Sequence, residues 1–262
     1  MPSIITLTTD FGLGSHYVAV MKGVILSINP AAVIVDITHG IPPQDIRQAA
    51  LVLDDVCERF PVDTIHVAVV DPGVGTSRAI VYARIDQRHY IAPDNGLLSR
   101  LAARHRPSKL IKLQNRDFWL HPVSSTFHGR DIIAPVAARL SLGLDPAELG
   151  PPLEQLATLQ WPQPRQTERR IEGMVVTVDS FGNLETNITA EMLAGRPTDE
   201  RVCIVCGIYE TFGIYHTYAE QPNGMLVALI NSAGRLELAL VGDNAARRLG
   251  VGPGTHVVVA WE

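Results

Sequence analysis

Three aspartates stand at the ends of hydrophobic runs that are typical of buried strands, and their carboxylates are the first candidates for chemistry. They are Asp10, Asp71 and Asp94. In an open sheet of parallel strands, ligands bind outside the carboxyl ends of the strands. We therefore expect an electronegative rim that suits sugar hydroxyls or a cation. The alternative is a structural turn, because an aspartate beside Gly or Pro accepts hydrogen bonds from nearby backbone N–H groups; at Asp94 this alternative is favoured.

A histidine precedes a helical stretch in the sequence FHGRD, residues 127–131. At the N-terminus of a helix the dipole disfavours an imidazolium, so we expect His128 to be neutral and able to hydrogen-bond water. The alternative is a structural histidine. Arg130 and Asp131 are interpreted as an ion pair at the start of the helix.

Polar turns in the second half of the chain are candidates for ligand recognition. In DSFGN, residues 179–183, the Asn183 amide both donates and accepts, so it can read the edge of an adenine. The alternative is a simple hairpin turn at Gly182-Asn183. The turn at residues 231–234 is a further candidate, and a simple turn is again the alternative.

Metal and redox chemistry are disfavoured. Cys203 and Cys206 lie three apart in a strand-like run, so their side chains point to opposite faces. The nine histidines show no metal-ligand spacing. We therefore expect no metal site and no cofactor.

Two patterns divide the chain. Residues 1–145 alternate strand-like and helical segments, which predicts an α/β domain with a mostly parallel sheet flanked by helices. Residues 146–170 are rich in proline and predict a connection. Residues 171–262 contain short strands and glycine turns, which predicts a smaller all-β, barrel-like domain.

Composition excludes several classes of protein. The 262 residues are 46% hydrophobic and 19% charged, which is ordinary for a globular chain. A net charge of −5 without basic blocks argues against nucleic-acid binding. No apolar stretch approaches the ~18 residues of a membrane span. With three cysteines and no visible signal peptide, a cytoplasmic location is expected.

Seven segments, taken in order, resemble one known family. They read TTDFG (8–12), YVAVMKG (17–23), DITH (36–39), VDPGVGT (70–76), APDNG (92–96), FHGRD (127–131) and DSFGN (179–183). As an ordered set they resemble the S-adenosyl-L-methionine hydroxide adenosyltransferases, relatives of the S-adenosylmethionine-dependent fluorinase and chlorinase.

The resemblance implies hydrolysis of S-adenosyl-L-methionine to adenosine and L-methionine, by in-line attack of water or hydroxide on the ribose C5′. It implies that Asp71, Arg78 and His128 hold and activate the water. It also implies substrate contacts from Asp10 (ribose), Asn183 and Phe212 (adenine), Asp179 (methionine amine) and Ser232 (methionine end). Family members are homotrimers, with each site between the N-terminal domain of one subunit and the C-terminal domain of the next.

The chain departs from the halogenating relatives at residues that matter for the reaction. Those relatives have Tyr at the position of Asp71 and a halide-binding Ser at the position of Gly129. An anionic Asp71 would repel a halide, which disfavours halogenation. They also have Arg at the position of Ala233, so the resemblance leaves open how this chain holds the substrate carboxylate. A halogenase and a non-catalytic adenosine-binding protein remain the alternatives.

Overall fold

The computed structural model describes residues 3–262, which form two compact units. The first unit ends at Leu159 and the second begins at Gln160. The segment expected as a connection, 146–170, is therefore divided between them. Its first part packs on the first unit, where Leu153 N donates to Leu110 O at 2.9 Å and Leu159 contacts Gly96.

The first unit is built on a six-stranded sheet with the order β2-β1-β3-β5-β4-β6. Its strands are β1 (Ile4–Thr9), β2 (Val33–Thr38), β3 (Ile65–Val69), β4 (Ile80–Ile85), β5 (Arg88–Pro93) and β6 (Lys109–Lys112). Strands β2, β1, β3 and β5 pair in parallel, and β4 runs antiparallel to both of its neighbours. The predicted, mostly parallel sheet is confirmed.

Helices cover both faces of this sheet: α1 (Tyr17–Ile28), α2 (Ile46–Val56), α3 (Ser99–Arg104) and α4 (Ala134–Leu140). Helix α1 buries Val18, Met21 and Ile25, whose spacing places them on one face, in the same core cluster as α4. Helices α2 and α3 share a second core cluster with the opposite face. Asp45 caps α2 by accepting the Gln48 N–H at 2.9 Å.

Strand β2 differs from its expected environment. Its nearly continuous apolar run predicts burial on both faces, yet none of its residues is fully buried and Val33 is 42% exposed. The reason is position, because β2 is an edge strand that pairs only with β1. Asp36 on this strand forms an ion pair with Lys22 at 2.5 Å.

The second unit is an eight-stranded sheet with the order β11-β10-β14-β8-β9-β13-β12, and β7 pairs with β8. Its strands are β7 (Arg165–Gln166), β8 (Arg170–Val178), β9 (Leu184–Thr189), β10 (Val202–Cys206), β11 (Tyr209–Phe212), β12 (Leu226–Ile230), β13 (Arg235–Leu240) and β14 (His256–Trp261). Two short helices, α5 (Ala190–Leu193) and α6 (Ala245–Leu249), complete it. Thr211 Oγ1 donates to Leu226 O at 2.6 Å, so the two outermost strands approach and the sheet is nearly a closed barrel.

The two cysteines of β10 differ in burial. Cys203 is partly exposed and Cys206 is buried, which agrees with side chains on opposite faces. Within residues 3–262, no group of His, Cys, Asp and Glu side chains is arranged to hold a metal ion. Over the same residues, every helix is too short or too polar to cross a bilayer.

Candidate active site

The candidate aspartates meet at one edge of the first unit's sheet. Because β1, β3 and β5 are parallel neighbours, their carboxyl ends place Asp10, Asp71 and Asp94 along the same edge, as predicted. Arg78 reaches this edge by a different route. It precedes β4, and because β4 is antiparallel, the beginning of that strand lies where its neighbour β5 ends.

Asp71 and Arg78 form a close ion pair that is largely shielded from solvent. Their side chains are 6% and 12% exposed. Arg78 Nε lies 2.9 Å from Asp71 Oδ1 and 3.0 Å from Oδ2, and Arg78 Nη2 also donates to Oδ2. A bidentate, charge-assisted pair fixes the orientation of both groups.

Arg78 joins this pair to His128. Its Nη2 lies 2.9 Å from His128 Nδ1. A guanidinium only donates, so Nδ1 must accept, and a neutral ring then carries its proton on Nε2. Burial, and after it the positive charge of Arg78, lowers the pKa of His128 below its usual 6.5. The ring is therefore neutral near pH 7, with Nε2–H free to donate.

The loop that carries Asp71 and Arg78 packs directly on the loop that precedes His128. Gly75 has φ +79, and a Cβ there would lie 2.3 Å from the Ser125 carbonyl oxygen. Only glycine satisfies both the left-handed backbone and this close approach. Gly75 therefore allows the two loops to pack this closely.

We expect Gly75→Ala to lower the free energy of unfolding by about 2–5 kcal/mol, combining left-handed strain with overpacking. Gly143→Ala is the matched control, because Gly143 has φ +95 and a Cβ added to it would meet nothing within 4 Å. It should cost only about 1–2 kcal/mol, for strain alone. Denaturant titration of both variants measures the difference; equal losses would contradict the close loop contact.

Asp131 anchors the turn on which His128 sits. The buried carboxylate accepts Ser124 N at 2.8 Å and Arg130 Nε at 2.6 Å, which confirms the predicted ion pair. Burial opposes ionisation, but Arg130 and the Ser124 N–H outweigh it and lower the pKa of Asp131. Residues Gly129–Ile133 form a π-helical turn before α4, a feature often found at functional sites.

Asp10 and Asp94 make different local contacts. Asp10 Oδ2 accepts the backbone N–H of Gln44 at 2.8 Å, and Gln44 itself has φ +67. Asp94 Oδ1 accepts the Ala157 N–H at 2.8 Å, which ties a distant segment to the sheet edge. The contact is structural, but it joins Asp94 to a residue 63 positions away and not to the nearby N–H groups of the expected turn.

In the second unit, Asp179 and Asn183 form one closed turn. Asp179 Oδ1 accepts the Phe181 and Asn183 N–H groups at 2.9 and 2.8 Å. Asn183 Nδ2 donates to Asp179 Oδ2 at 3.0 Å, and Gly182 has φ +93. The predicted hairpin turn is present, and it holds both candidate side chains side by side.

Phe212 and Ser232 are accessible in the second unit. Phe212 lies at the end of β11 and is 47% exposed. Ser232 is exposed on a turn in which Asn231 Oδ1 accepts the N–H groups of Ala233 and Arg235 at 3.0 and 3.1 Å. Asn231 therefore sets the shape of the turn that presents Ser232.

One buried carboxylate supports this turn and was not singled out from the sequence. Glu237 is 3% exposed and accepts Tyr218 OH at 2.7 Å and Asn231 Nδ2 at 3.3 Å. Burial raises the pKa of Glu237, and the hydrogen bonds from Tyr218 and Asn231 only partly offset this. The sequence signals a buried carboxylate here by one charged residue within the otherwise apolar run LELAL of β13.

Family models match both units. Residues 5–150 match the model described as SAM hydroxide adenosyltransferase N-terminal domain, and residues 173–258 match the corresponding C-terminal domain. An (R)-S-adenosyl-L-methionine hydrolase of Salinispora tropica is 38% identical over 258 residues, covering 97% of each chain. One from Thermus thermophilus is 37% identical, covering 95% of this chain and 96% of that protein. A fluorinase of Actinoplanes is 28% identical, covering 90% of both.

Solved structures show the same fold. A crystal structure of a conserved protein from Thermotoga maritima has a TM-score of 0.92 and 36% identity, covering 98% of this chain and 99% of that one. A crystal structure of a conserved protein from Thermus thermophilus has a TM-score of 0.78 and 36% identity, covering 99% and 100%.

Proposed function

Because the chain belongs to the SAM hydroxide adenosyltransferase family, we propose that it hydrolyses S-adenosyl-L-methionine to adenosine and L-methionine. The observation that carries the proposal is the chain of contacts Asp71–Arg78–His128 at the carboxyl edge of the sheet. It supplies an anion and a neutral imidazole, each within hydrogen-bonding distance of one fixed cation. This set suits the holding and deprotonation of a water molecule.

The substrate already carries its own leaving group. In the reaction, the water oxygen forms a bond to the ribose C5′ and the C5′–S bond breaks. The electron pair of that bond neutralises the sulfonium, so methionine leaves as a thioether without acid assistance. The remaining difficulty is the nucleophile, and orientation of reactants can contribute up to about 7–11 kcal/mol.

The hydrogen bonds assign separate roles to the acid and the imidazole. His128 Nδ1 is occupied by Arg78, so the ring offers Nε2–H to the water oxygen and orients it. Asp71 has acceptor sites beyond those taken by Arg78, because a carboxylate offers about four. We assign Asp71 as the proton acceptor, with Arg78 stabilising the developing hydroxide.

The binding residues follow the family resemblance. Asp10 contacts the ribose, Asn183 and Phe212 contact adenine, and Asp179 and Ser232 contact the methionine end.

The curated relatives named above support the R epimer at sulfur as the preferred substrate. The resemblance also supports a homotrimer and a reaction without a cofactor. Three free thiols are typical of the reducing environment of the cytoplasm. Light scattering tests the trimer.

The reaction is tested by incubating the protein with each sulfur epimer of S-adenosylmethionine in ¹⁸O-water. Mass spectrometry should find the label in the 5′-hydroxyl of adenosine, with faster turnover of the R epimer. A parallel reaction in chloride-rich buffer should give no 5′-chloro-5′-deoxyadenosine. Binding without methionine release would instead indicate a non-catalytic protein.

We expect Asp10→Ala to weaken adenosine binding about 10- to 100-fold, the loss typical of a hydrogen bond to a charged group. Calorimetry measures the affinity. Asp10→Asn keeps an oxygen for the Gln44 N–H, so it should lose less, and it separates ribose contact from local support. An Asp10→Ala variant that binds adenosine with wild-type affinity would contradict the assignment.

The pH profile should depend on His128. A protonated ring cannot accept from Arg78, so the neutral form is the active one. Since burial and Arg78 lower the pKa of His128, we expect the midpoint of the acidic limb of kcat/KM to lie below pH 6.5. In His128→Gln this acidic limb should disappear. A limb centred above pH 6.5 would refute the neutral donor.

A further inference from the structure

A pocket of about 560 Å³ lies in the first unit, and Arg78 and His128 form part of its lining. Neither Asp10 nor Asp71 lines this pocket. The side chains that matter there are Arg78, Lys112, Arg116, Trp119, His121 and His128. No Asp or Glu of residues 3–262 belongs to the wall of this pocket. The pocket therefore differs in charge from the acidic sheet edge.

Two of its cations form no ion pair with a carboxylate of residues 3–262. They are Lys112 and Arg116, whereas Asp71 balances Arg78. The Arg116 guanidinium instead lies over the Trp119 ring, 5.7 Å from its centroid. The wall thus carries two uncompensated positive charges.

The charged side chains of Arg78, Lys112 and Arg116 can only donate hydrogen bonds. His121 Nε2 is already engaged with the Arg116 carbonyl at 3.1 Å. Three cationic side chains and no carboxylate among the described residues around one cavity favour an anion.

We propose that this pocket binds a phosphate group. The two uncompensated charges match a dianion, whereas the ammonium of a free amino acid would be repelled. Tetrahedral phosphate oxygens accept from several donors at once, as this wall requires. The volume exceeds that of inorganic phosphate, so a small phosphate ester also fits.

Occupancy should slow the hydrolysis, and this part rests on the proposed function. A phosphate dianion beside Arg78 competes with Asp71 for the guanidinium and favours the protonated form of His128. Both effects disturb the groups that prepare the water and leave the substrate contacts untouched. Phosphate should therefore lower kcat with little change in KM.

The test is calorimetric titration of the whole protein with inorganic phosphate in the absence of substrate. Lys112→Gln and Arg116→Gln should each weaken binding at least about tenfold, as expected for loss of a charge-assisted contact. Lys109→Gln is the matched control. Lys109 lies on the same strand, pairs with Asp145 at 3.6 Å and lies outside this wall, so its substitution should change nothing.

Further titrations identify the source of the phosphate group. Glycerol 3-phosphate has no adenine and avoids the nucleoside site; tighter binding than inorganic phosphate assigns the pocket to esters, and equal binding assigns it to free phosphate. L-methionine should show no binding that depends on Lys112 or Arg116.

Absence of phosphate binding, or equal affinity in all three variants, overturns the proposal. This result would leave the hydrolysis unaffected. Conversely, phosphate binding that depends on Lys112 and Arg116, in a protein that fails to hydrolyse S-adenosylmethionine, would reject the proposed function and retain the pocket.

Discussion

Asp71→Asn is expected to lower kcat about 10²–10⁴-fold, the usual contribution of a general base. An asparagine keeps the size of the side chain and one oxygen for Arg78, but it cannot take a proton at neutral pH. Binding of adenosine should persist, because the assigned nucleoside contacts lie elsewhere. Single-turnover kinetics and calorimetry together separate the two effects.

The matched control for this variant is Asp63→Asn. Asp63 also pairs with an arginine, Arg84 at 2.6 Å, but it is exposed and away from the sheet edge. Its substitution should leave kcat unchanged. If Asp71→Asn kept wild-type turnover, Asp71 would not be the proton acceptor.

His128→Ala should reduce kcat about 10²–10³-fold, comparable to the removal of one preorganised donor. His128→Gln decides how the ring acts. A glutamine amide can place an N–H near the position of Nε2 but cannot accept a proton, so it should restore much of the lost activity. Equal inactivity of both variants would favour the ring as the base.

His105→Ala serves as the control for these substitutions. His105 is a partly exposed histidine that contacts Glu58 at 2.9 Å, outside the candidate site. Its removal should not change turnover. Thermal unfolding of all three variants would show whether any loss of activity reflects loss of the fold.

Local patterns predicted the fold class and the strands that carry the candidate aspartates. Hydrophobic runs located the strands that end at Asp10 and Asp71, because a strand inside a parallel sheet is buried on both faces. The strand-end aspartates were placed on one edge by topology rules alone. Short strands such as β6 and β11 give no comparable signal, since four residues offer too few positions to establish a period.

Long-range contacts could not be read from the sequence. The hydrogen bond between Arg78 and His128 joins residues fifty positions apart, and only the family resemblance suggested that they act together. The need for glycine at position 75 arises from the Ser125 carbonyl oxygen, which belongs to another loop. Likewise, a run of apolar residues does not say whether its strand lies at the centre or at the edge of a sheet.

The edge position of β2 has a consequence for behaviour at high protein concentration. A border strand offers its unpaired backbone groups as a template for intermolecular association. Asp36 places a charge on this border, and although burial opposes ionisation, Lys22 and His39 outweigh it and lower the pKa of Asp36. Asp36 therefore stays ionised in mildly acidic solution, where its charge continues to oppose the association of β2 strands from different molecules.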